Sequence, residues 1–98
     1  MPGSKNKYSI EYHPKVVKDD IPKLDEKIKD IIERKIEKLI EEPHLGTALR
    51  GKLAGCYRLK ISKYRIVYKV YNEKLIILVI AIGKRDNLFV NETAEKRI

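Results

Sequence analysis

Residues 56–69 read C-Y-R-L-K-I-S-K-Y-R-I-V-Y-K, so that apolar and basic side chains alternate along most of the stretch. Successive side chains of a β-strand point to opposite faces, which separates the apolar residues from the basic ones. The polar break at residues 62–63 is long enough only for a tight turn. The stretch therefore predicts a β-hairpin with one apolar face and one cationic face. The cationic face carries Arg58, Lys60, Arg65 and Lys69.

The positive charge is confined to the second part of the chain. Of the 98 residues, with a net charge of +8, residues 1–42 contain ten basic and ten acidic side chains, whereas residues 43–98 contain twelve basic and four acidic ones. No acid occurs between Pro43 and Asn72, a span with seven cations. A localised positive field attracts polyanions, so nucleic acid is the leading partner class. An anionic membrane or an acidic protein would satisfy the same field.

Length and composition predict one folded domain over residues 1–98, because 43% of the residues are hydrophobic. Cys56 is the single cysteine and can form no internal disulfide, which favours a reducing compartment. The amino terminus lacks the apolar segment of a secretory signal, and the apolar run at 75–82 is too short to span a membrane. We therefore expect a cytoplasmic protein that does not bind a membrane.

The first half of the chain predicts a strand and two helices. Residues 7–12 alternate as a strand, and Pro14 suits the start of a short helix over 14–20. Residues 24–42 predict the main helix, because their apolar residues recur at helical spacing. These residues are Leu24, Ile28, Ile31, Ile32, Ile36, Leu39 and Ile40. The glycine-containing residues 44–55 read as a loop with a brief extended piece near 47–50.

The remaining elements decide the fold class. Residues 75–82 are apolar on both faces, which predicts a central strand covered on both sides, and residues 87–98 predict a short terminal helix. Consecutive strands joined by tight turns form antiparallel meanders. We therefore expect an α+β fold: an antiparallel sheet of about four strands, with the helices on one face and a short C-terminal helix.

Most catalytic site types are missing from the sequence. It contains no phosphate-binding glycine loop, no dinucleotide fingerprint and no Cys or His pair at metal-ligand spacing. His13 and His44 each lie beside a proline, where a solvated or capping role is expected. Glu11, Glu73 and Asp86 are isolated, which argues against a metal-dependent nuclease. The sequence therefore predicts neither a metal site nor a cofactor.

Arginine and lysine can nevertheless catalyse RNA cleavage by internal transesterification, in which the ribose 2′-OH attacks its own phosphate. The protein must align the groups, stabilise the charged phosphorane and move two protons. Arginine matches phosphate oxygens with two parallel hydrogen bonds, and a lysine crowded by arginine has a lowered pKa and can act as a base. The alternative is that the basic row is merely the solvated face of a sheet. A solvated face normally mixes both signs of charge, so this alternative explains the thirty residues without an acid less well.

Several segments together resemble a known toxin family. Leu49-Arg-Gly, Cys56-Tyr-Arg-Leu-Lys, Tyr64-Arg-Ile-Val-Tyr and Ile82-Gly-Lys-Arg are similar, in order and spacing, to the RelE branch of the RelE/ParE toxin superfamily. The resemblance covers nearly the whole chain. It implies a ribosome-dependent endoribonuclease that cuts mRNA in the decoding site and is neutralised by a cognate antitoxin.

The resemblance also implies roles for individual residues. Lys60 looks like the general base, Arg85 like the group that protonates the leaving oxygen, and Arg65 like the clamp on the phosphorane. Arg58 stands where the best-known members have lysine. Asn91 falls where the family often has a tyrosine. The residues expected to bind RNA are Arg50, Lys52, Lys63, Lys84 and Phe89, the last by stacking on a base.

The expected partners are the ribosome with its mRNA and a RelB-like antitoxin that carries an acidic amphipathic helix, together forming a toxin–antitoxin hetero-oligomer. Two other hypotheses stay open. A ParE-like toxin would bind a protein target such as gyrase and cut no RNA. A passive RNA-binding module would bind with steep salt dependence and leave RNA intact.

Overall fold

The computed structural model describes residues 8–84 and 89–98, without the side chain of Phe89. The strands are β1 (Ser9–Tyr12), β2 (Thr47–Ala48), β3 (Cys56–Ile61), β4 (Tyr64–Tyr71) and β5 (Ile76–Lys84). The longer helices are α1 (Glu26–Lys38) and α2 (Phe89–Arg97). A π-helical turn (Val16–Asp20) and two 3-10 turns (Ile21–Lys23 and Gly51–Leu53) complete the described elements.

The strands form one mixed sheet in the order β1-β5-β4-β3-β2. The predicted α+β class, the hairpin of β3 and β4 and the C-terminal helix are confirmed. The sheet has five strands rather than about four, because the extended piece at residues 47–48 pairs with β3. It is also not wholly antiparallel. β1 lies parallel to β5.

Helix α1 covers one face of the sheet. Asp25 begins it as an N-cap, its Oδ1 accepting a hydrogen bond of 2.9 Å from the Ile28 backbone N–H. Ile32 and Ile36 are buried against apolar residues of β3, β4 and β5. Ile31, predicted to belong to the apolar stripe, is instead 44% exposed. Its position next to Ile32 turns it out of the contact face, since neighbouring helix residues are separated by about 100°.

Helix α2 packs on the opposite face, where the sequence analysis placed the cationic residues. Val90 and Ala94 lie in a second apolar cluster with Cys56, Val67 and residues of β5. The prediction that β5 is covered on both faces is thereby confirmed. The register of β5 with β4 shifts between Val67 and Tyr68, which marks a bulge in β5, and the consecutive residues Ile80 and Ala81 both lie in the second cluster.

The edge of β5 beyond the end of β1 is closed by a buried ion pair. Asp20 accepts hydrogen bonds of 2.7 and 3.1 Å from the Arg97 guanidinium. Its Oδ2 also accepts a hydrogen bond of 2.9 Å from the Ile82 backbone N–H. Arg97 donates a further bond of 2.9 Å to the Ile80 carbonyl. The pair therefore provides hydrogen-bond partners for backbone groups of β5 that lie beyond the end of β1.

No helix in the described part of the chain has the length and apolar character that a membrane crossing requires.

Candidate nucleic-acid interface and active site

Three of the predicted catalytic residues lie together on the face of the sheet that carries α2. Lys60 of β3 is directly opposite Arg65 of β4, and Arg65 is opposite Gly83 of β5. Arg58 pairs with Val67, which places it diagonally from Arg65 at about 7–8 Å between backbone positions. We call Arg58, Lys60 and Arg65 the cationic cluster.

The cationic cluster has no compensating acid within residues 8–84 and 89–98, where none of its members forms an ion pair. Like charges directly opposite each other on two strands destabilise a sheet. Lys60 is exposed, whereas Arg58 and Arg65 are half-buried along their stems. The cluster is therefore suited to a bound anion, which would relieve the repulsion between Lys60 and Arg65.

Lys69 lies on the same face but outside the cationic cluster. It pairs with Cys56 at the far end of β3, and its Nζ lies 5.3 Å from the centroid of the Tyr71 ring. This cation–π contact holds the Lys69 ammonium at the Tyr71 end of β4, away from the cationic cluster.

Arg58 is positioned by a close approach of the preceding loop. A Cβ at Gly46 would lie 2.7 Å from the Arg58 carbonyl oxygen, so only glycine fits there without a shift. The Gly46 N–H donates a 2.9 Å hydrogen bond to Tyr68 Oη. Burial of the phenol, the largest effect, raises the pKa of Tyr68, and the bond from Gly46 opposes that rise. The phenol thus stays neutral and holds the loop against β3.

Two buried polar atoms on the α2 side lack a hydrogen-bond partner among the described residues. They are Arg65 Nε, a donor, and Asn91 Oδ1, an acceptor. Buried polar groups are nearly always paired in folded proteins. Arg65 Nε and Asn91 Oδ1 are therefore exceptions to that rule among the described residues.

The residues predicted to bind RNA are distributed around the cationic cluster. Arg50 and Lys52 are exposed at the Gly51–Leu53 turn, which packs beside α2. Lys63 is exposed in the turn between β3 and β4, and Lys84 is exposed at the end of β5. Arg85 and the side chain of Phe89 lie outside the described residues.

Cys56 has the structural role that its position predicts. It is fully buried, and burial, the larger effect, raises the pKa of its thiol against the opposing influence of Lys69. Residues 8–84 and 89–98 contain no cluster of three His, Cys, Asp or Glu side chains that could hold a metal ion.

Sequence reasoning missed the residues that position the site. Gly46 and Gly83 permit close approaches, and the pairing of Asp20 with Arg97 holds α2 to the sheet edge. The glycines could have been flagged only as interruptions of a pattern. Nothing in the spacing of Asp20 and Arg97 indicates that they meet.

Comparison with known proteins assigns the family. A family described as the ParE toxin of the type II toxin-antitoxin system parDE matches residues 10–89. The protein named mRNA interferase toxin RelE from Escherichia coli strain K12 is 33% identical over 94 residues, covering 93% of this chain and 97% of that protein. The chain belongs to the RelE/ParE superfamily of type II toxins, in its RelE branch. A relative from Methanocaldococcus jannaschii, named putative toxin RelE1, is 32% identical over 89 residues, covering 87% of this chain and 98% of the relative.

Solved structures agree with this assignment. A mutant of the E. coli toxin RelE in the free state superposes with a TM-score of 0.79 at 30% identity, covering 94% of this chain and 98% of that one. The same mutant in complex with a peptide of the antitoxin RelB superposes with a TM-score of 0.71 at 32% identity, with the same coverage.

Proposed function

We propose that this chain is an mRNA interferase, an endoribonuclease that cuts mRNA in the decoding site of the ribosome and so inhibits translation. The observation that carries the proposal is the cationic cluster, in which Lys60 and Arg65 face each other without an acid paired to either in the described part of the chain. The identity to an E. coli protein named mRNA interferase toxin supports it. The chain would act as one domain over residues 1–98, in the cytoplasm, where ribosomes and mRNA are found.

The proposed reaction breaks one phosphodiester bond. The ribose 2′-oxygen bonds to the adjacent phosphorus, the bond from phosphorus to the next 5′-oxygen breaks, and the products are a 2′,3′-cyclic phosphate and a 5′-hydroxyl. Lys60 accepts the 2′-OH proton, and Arg85 delivers a proton to the 5′-oxygen. Each proton therefore has a donor and an acceptor.

Arg65 stabilises the phosphorane in this scheme. Its stem is half-buried between Lys60 and Gly83, which limits the directions in which the guanidinium can point. A guanidinium can donate two parallel hydrogen bonds to non-bridging phosphate oxygens. Arg58, held at its backbone by the close approach of Gly46, adds a second guanidinium to the same face. Preorganised donors of this kind contribute most when the charge on the reacting group increases.

Primer extension on mRNA in programmed ribosomes, compared with the same mRNA free in solution, tests the proposal. We expect cuts in the decoding site only when ribosomes are present. Arg65→Ala should reduce the rate by about 10²–10³-fold and Lys60→Ala by about 10²–10⁴-fold. Arg65→Lys keeps the charge but loses the paired donors, so it should recover only part of the rate.

Lys74→Ala is the matched control, since it removes one exposed cation from the turn between β4 and β5, away from the cationic cluster. Its rate should remain within about twofold of the unmodified chain. Normal cutting by both Lys60→Ala and Arg65→Ala would refute the assignment of these residues. Intact mRNA with the unmodified chain would refute the nuclease itself.

The match to a ParE family favours a second candidate function. A ParE-like toxin would bind a protein target such as gyrase and would leave mRNA intact on ribosomes. Inhibition of gyrase supercoiling by the purified chain, without mRNA cutting, would select this function.

The proposal includes a cognate antitoxin that binds the chain through an acidic amphipathic helix and forms a hetero-oligomer with it. The surplus of cations in residues 43–98 supports such a partner. Titration of the antitoxin into the chain should show binding that weakens as salt increases, and should suppress mRNA cutting. Cutting that persists at saturating antitoxin would contradict this part of the proposal.

A further inference from the structure

Two buried polar atoms on the α2 face of the sheet are chemically complementary. Arg65 Nε carries one N–H and can only donate, whereas Asn91 Oδ1 can only accept. Neither atom has a hydrogen-bond partner within residues 8–84 and 89–98. Leaving such a group unpaired costs stability, so a contact made in another state of the molecule is a physical reason to keep it. The proposed reaction uses Arg65 and gives no role to Asn91.

The start of α2 lies level with Arg65 along the sheet. Gly83 of β5 is directly opposite Arg65 of β4. A Cβ at Gly83 would lie 3.2 Å from Val90 Cγ2, so Val90 lies directly on Gly83. Neighbouring strands are about 4.8 Å apart. A side chain in the first turn of α2 that points toward β4 can therefore reach Arg65.

The direction of α2 turns Asn91 toward β4 and away from the outer edge of β5. On that outer edge, Arg97 donates to the Ile80 carbonyl, and Thr93 lines a cavity of about 440 Å³ at the end of β5. Successive helix residues are about 100° apart, so Asn91 and Thr93 are separated by about 200°. Val90 faces the sheet between these two directions. Asn91 therefore points toward the strand that carries part of the cationic cluster.

A hydrogen bond at Nε would fix the orientation of the Arg65 guanidinium. The five N–H donors of a guanidinium lie in one plane, so a partner at Nε fixes that plane and the direction of the two terminal nitrogens. Those terminal nitrogens can supply the two parallel hydrogen bonds to non-bridging phosphate oxygens. Nε itself is buried and is not available to a phosphate. The two sets of donors therefore do not compete.

We propose that Asn91 is a positioning residue for the cleavage reaction, whose Oδ1 accepts a hydrogen bond from Arg65 Nε when a phosphate of the RNA occupies the cationic cluster. The inference rests on the proposed function, because it concerns the same phosphorane. The bond is absent from the structure, so a torsional change in one of the two side chains accompanies it. Asn91 acts through Arg65 and touches neither the RNA nor the reacting atoms.

Single-turnover cleavage of mRNA on programmed ribosomes tests this role. Asn91→Ala should lower kcat by about tenfold to a hundredfold, the usual effect of one hydrogen bond to a charged group, and should leave KM within about twofold. Asn91→Asp keeps an acceptor oxygen and should retain a higher kcat than Asn91→Ala. Its negative charge repels the RNA phosphates, so it should raise KM several-fold. Equal losses of kcat in the two variants would overturn the proposal.

A double-mutant cycle separates positioning from a structural effect on α2. In the Arg65→Ala background the acceptor has nothing to orient, so adding Asn91→Ala should lower the rate by less than about twofold. A purely structural effect would lower the rate by the same factor in both backgrounds, and that result would overturn the proposal.

Thr93→Ala is the matched control, because Thr93 is a half-buried polar residue of the same helix that faces the opposite side. Its rate should remain within about twofold of the unmodified chain. Thermal unfolding of Asn91→Ala should keep the normal midpoint, since the acceptor that it removes has no partner among the described residues of the free chain. An equal loss of rate in Thr93→Ala and Asn91→Ala would contradict the role of Asn91.

The outcomes separate the two levels of inference. If the unmodified chain cuts mRNA and Asn91→Ala matches it in kcat, the positioning role is wrong and the proposed function stands. If the unmodified chain cuts nothing, the proposed function fails and the positioning role fails with it.

Discussion

The buried pair of Asp20 with Arg97 should contribute far more to stability than its surface counterpart in the same chain. The two side chains are only 10% and 9% exposed, and they are joined by hydrogen bonds of 2.7 and 3.1 Å. Asp20→Ala leaves the Arg97 guanidinium buried without its anion and leaves the Ile82 N–H without its acceptor. Breaking a buried pair in this way costs about 3–5 kcal/mol.

Asp30→Ala is the control for this prediction. Asp30 and Arg34 are the same residue types at 3.1 Å, but they are 61% and 78% exposed on α1. An exposed pair of this spacing contributes about 0.3–0.5 kcal/mol. The two substitutions remove the same chemical group, so the difference between them reports the burial of the Asp20 pair together with its additional hydrogen bond from Ile82.

Urea unfolding followed by circular dichroism measures both free energies. We expect Asp20→Ala to lose a large part of a total stability that is about 5–15 kcal/mol for most domains. The double variant Asp20→Ala/Arg97→Ala should lose less than the sum of the single losses, because it leaves no buried charge unpaired. A loss below about 1 kcal/mol in Asp20→Ala, or one equal to that of Asp30→Ala, would refute the reasoning.

Three further predictions concern packing and ionisation. Gly46→Ala should cost about 1–3 kcal/mol, because its Cβ would lie 2.7 Å from the Arg58 carbonyl oxygen, a backbone atom. Urea unfolding measures this loss, and full stability in that variant would contradict the close approach. The pKa of Tyr68 is raised by burial, so the stability that its neutral phenol provides is complete below about pH 10 and is lost as the pH rises towards the folded value. Tyr68→Phe should therefore flatten the loss of stability above about pH 10, and equal slopes in both proteins would contradict this. Cys56 is fully buried, and burial raises the pKa of its thiol. It should therefore react with a thiol reagent at least about two orders of magnitude more slowly in the native protein than in the urea-unfolded protein. Rapid labelling of the native protein would contradict this burial.

The hairpin and its two faces could be predicted because local alternation determines them. Once residues 62–63 form the turn, Lys60 must oppose Arg65, and the prediction of a shared face is confirmed. The catalytic roles of these residues stay predictions. Helix α1 followed from its apolar spacing, although that spacing placed Ile31 wrongly on the buried stripe.

Elements whose partners are near in the chain therefore follow from local patterns alone: the hairpin, the amphipathic helix and the strand that is apolar on both faces. Three features depend on the folded chain: β1 pairs in parallel with β5, α2 lies on the cationic face, and Asp20 meets Arg97. Local patterns reflect which side of an element is buried, and they carry no information about which distant element covers it. Those long-range contacts also form the cavity of about 440 Å³ at the end of β5, because its walls come from segments that are far apart in the sequence.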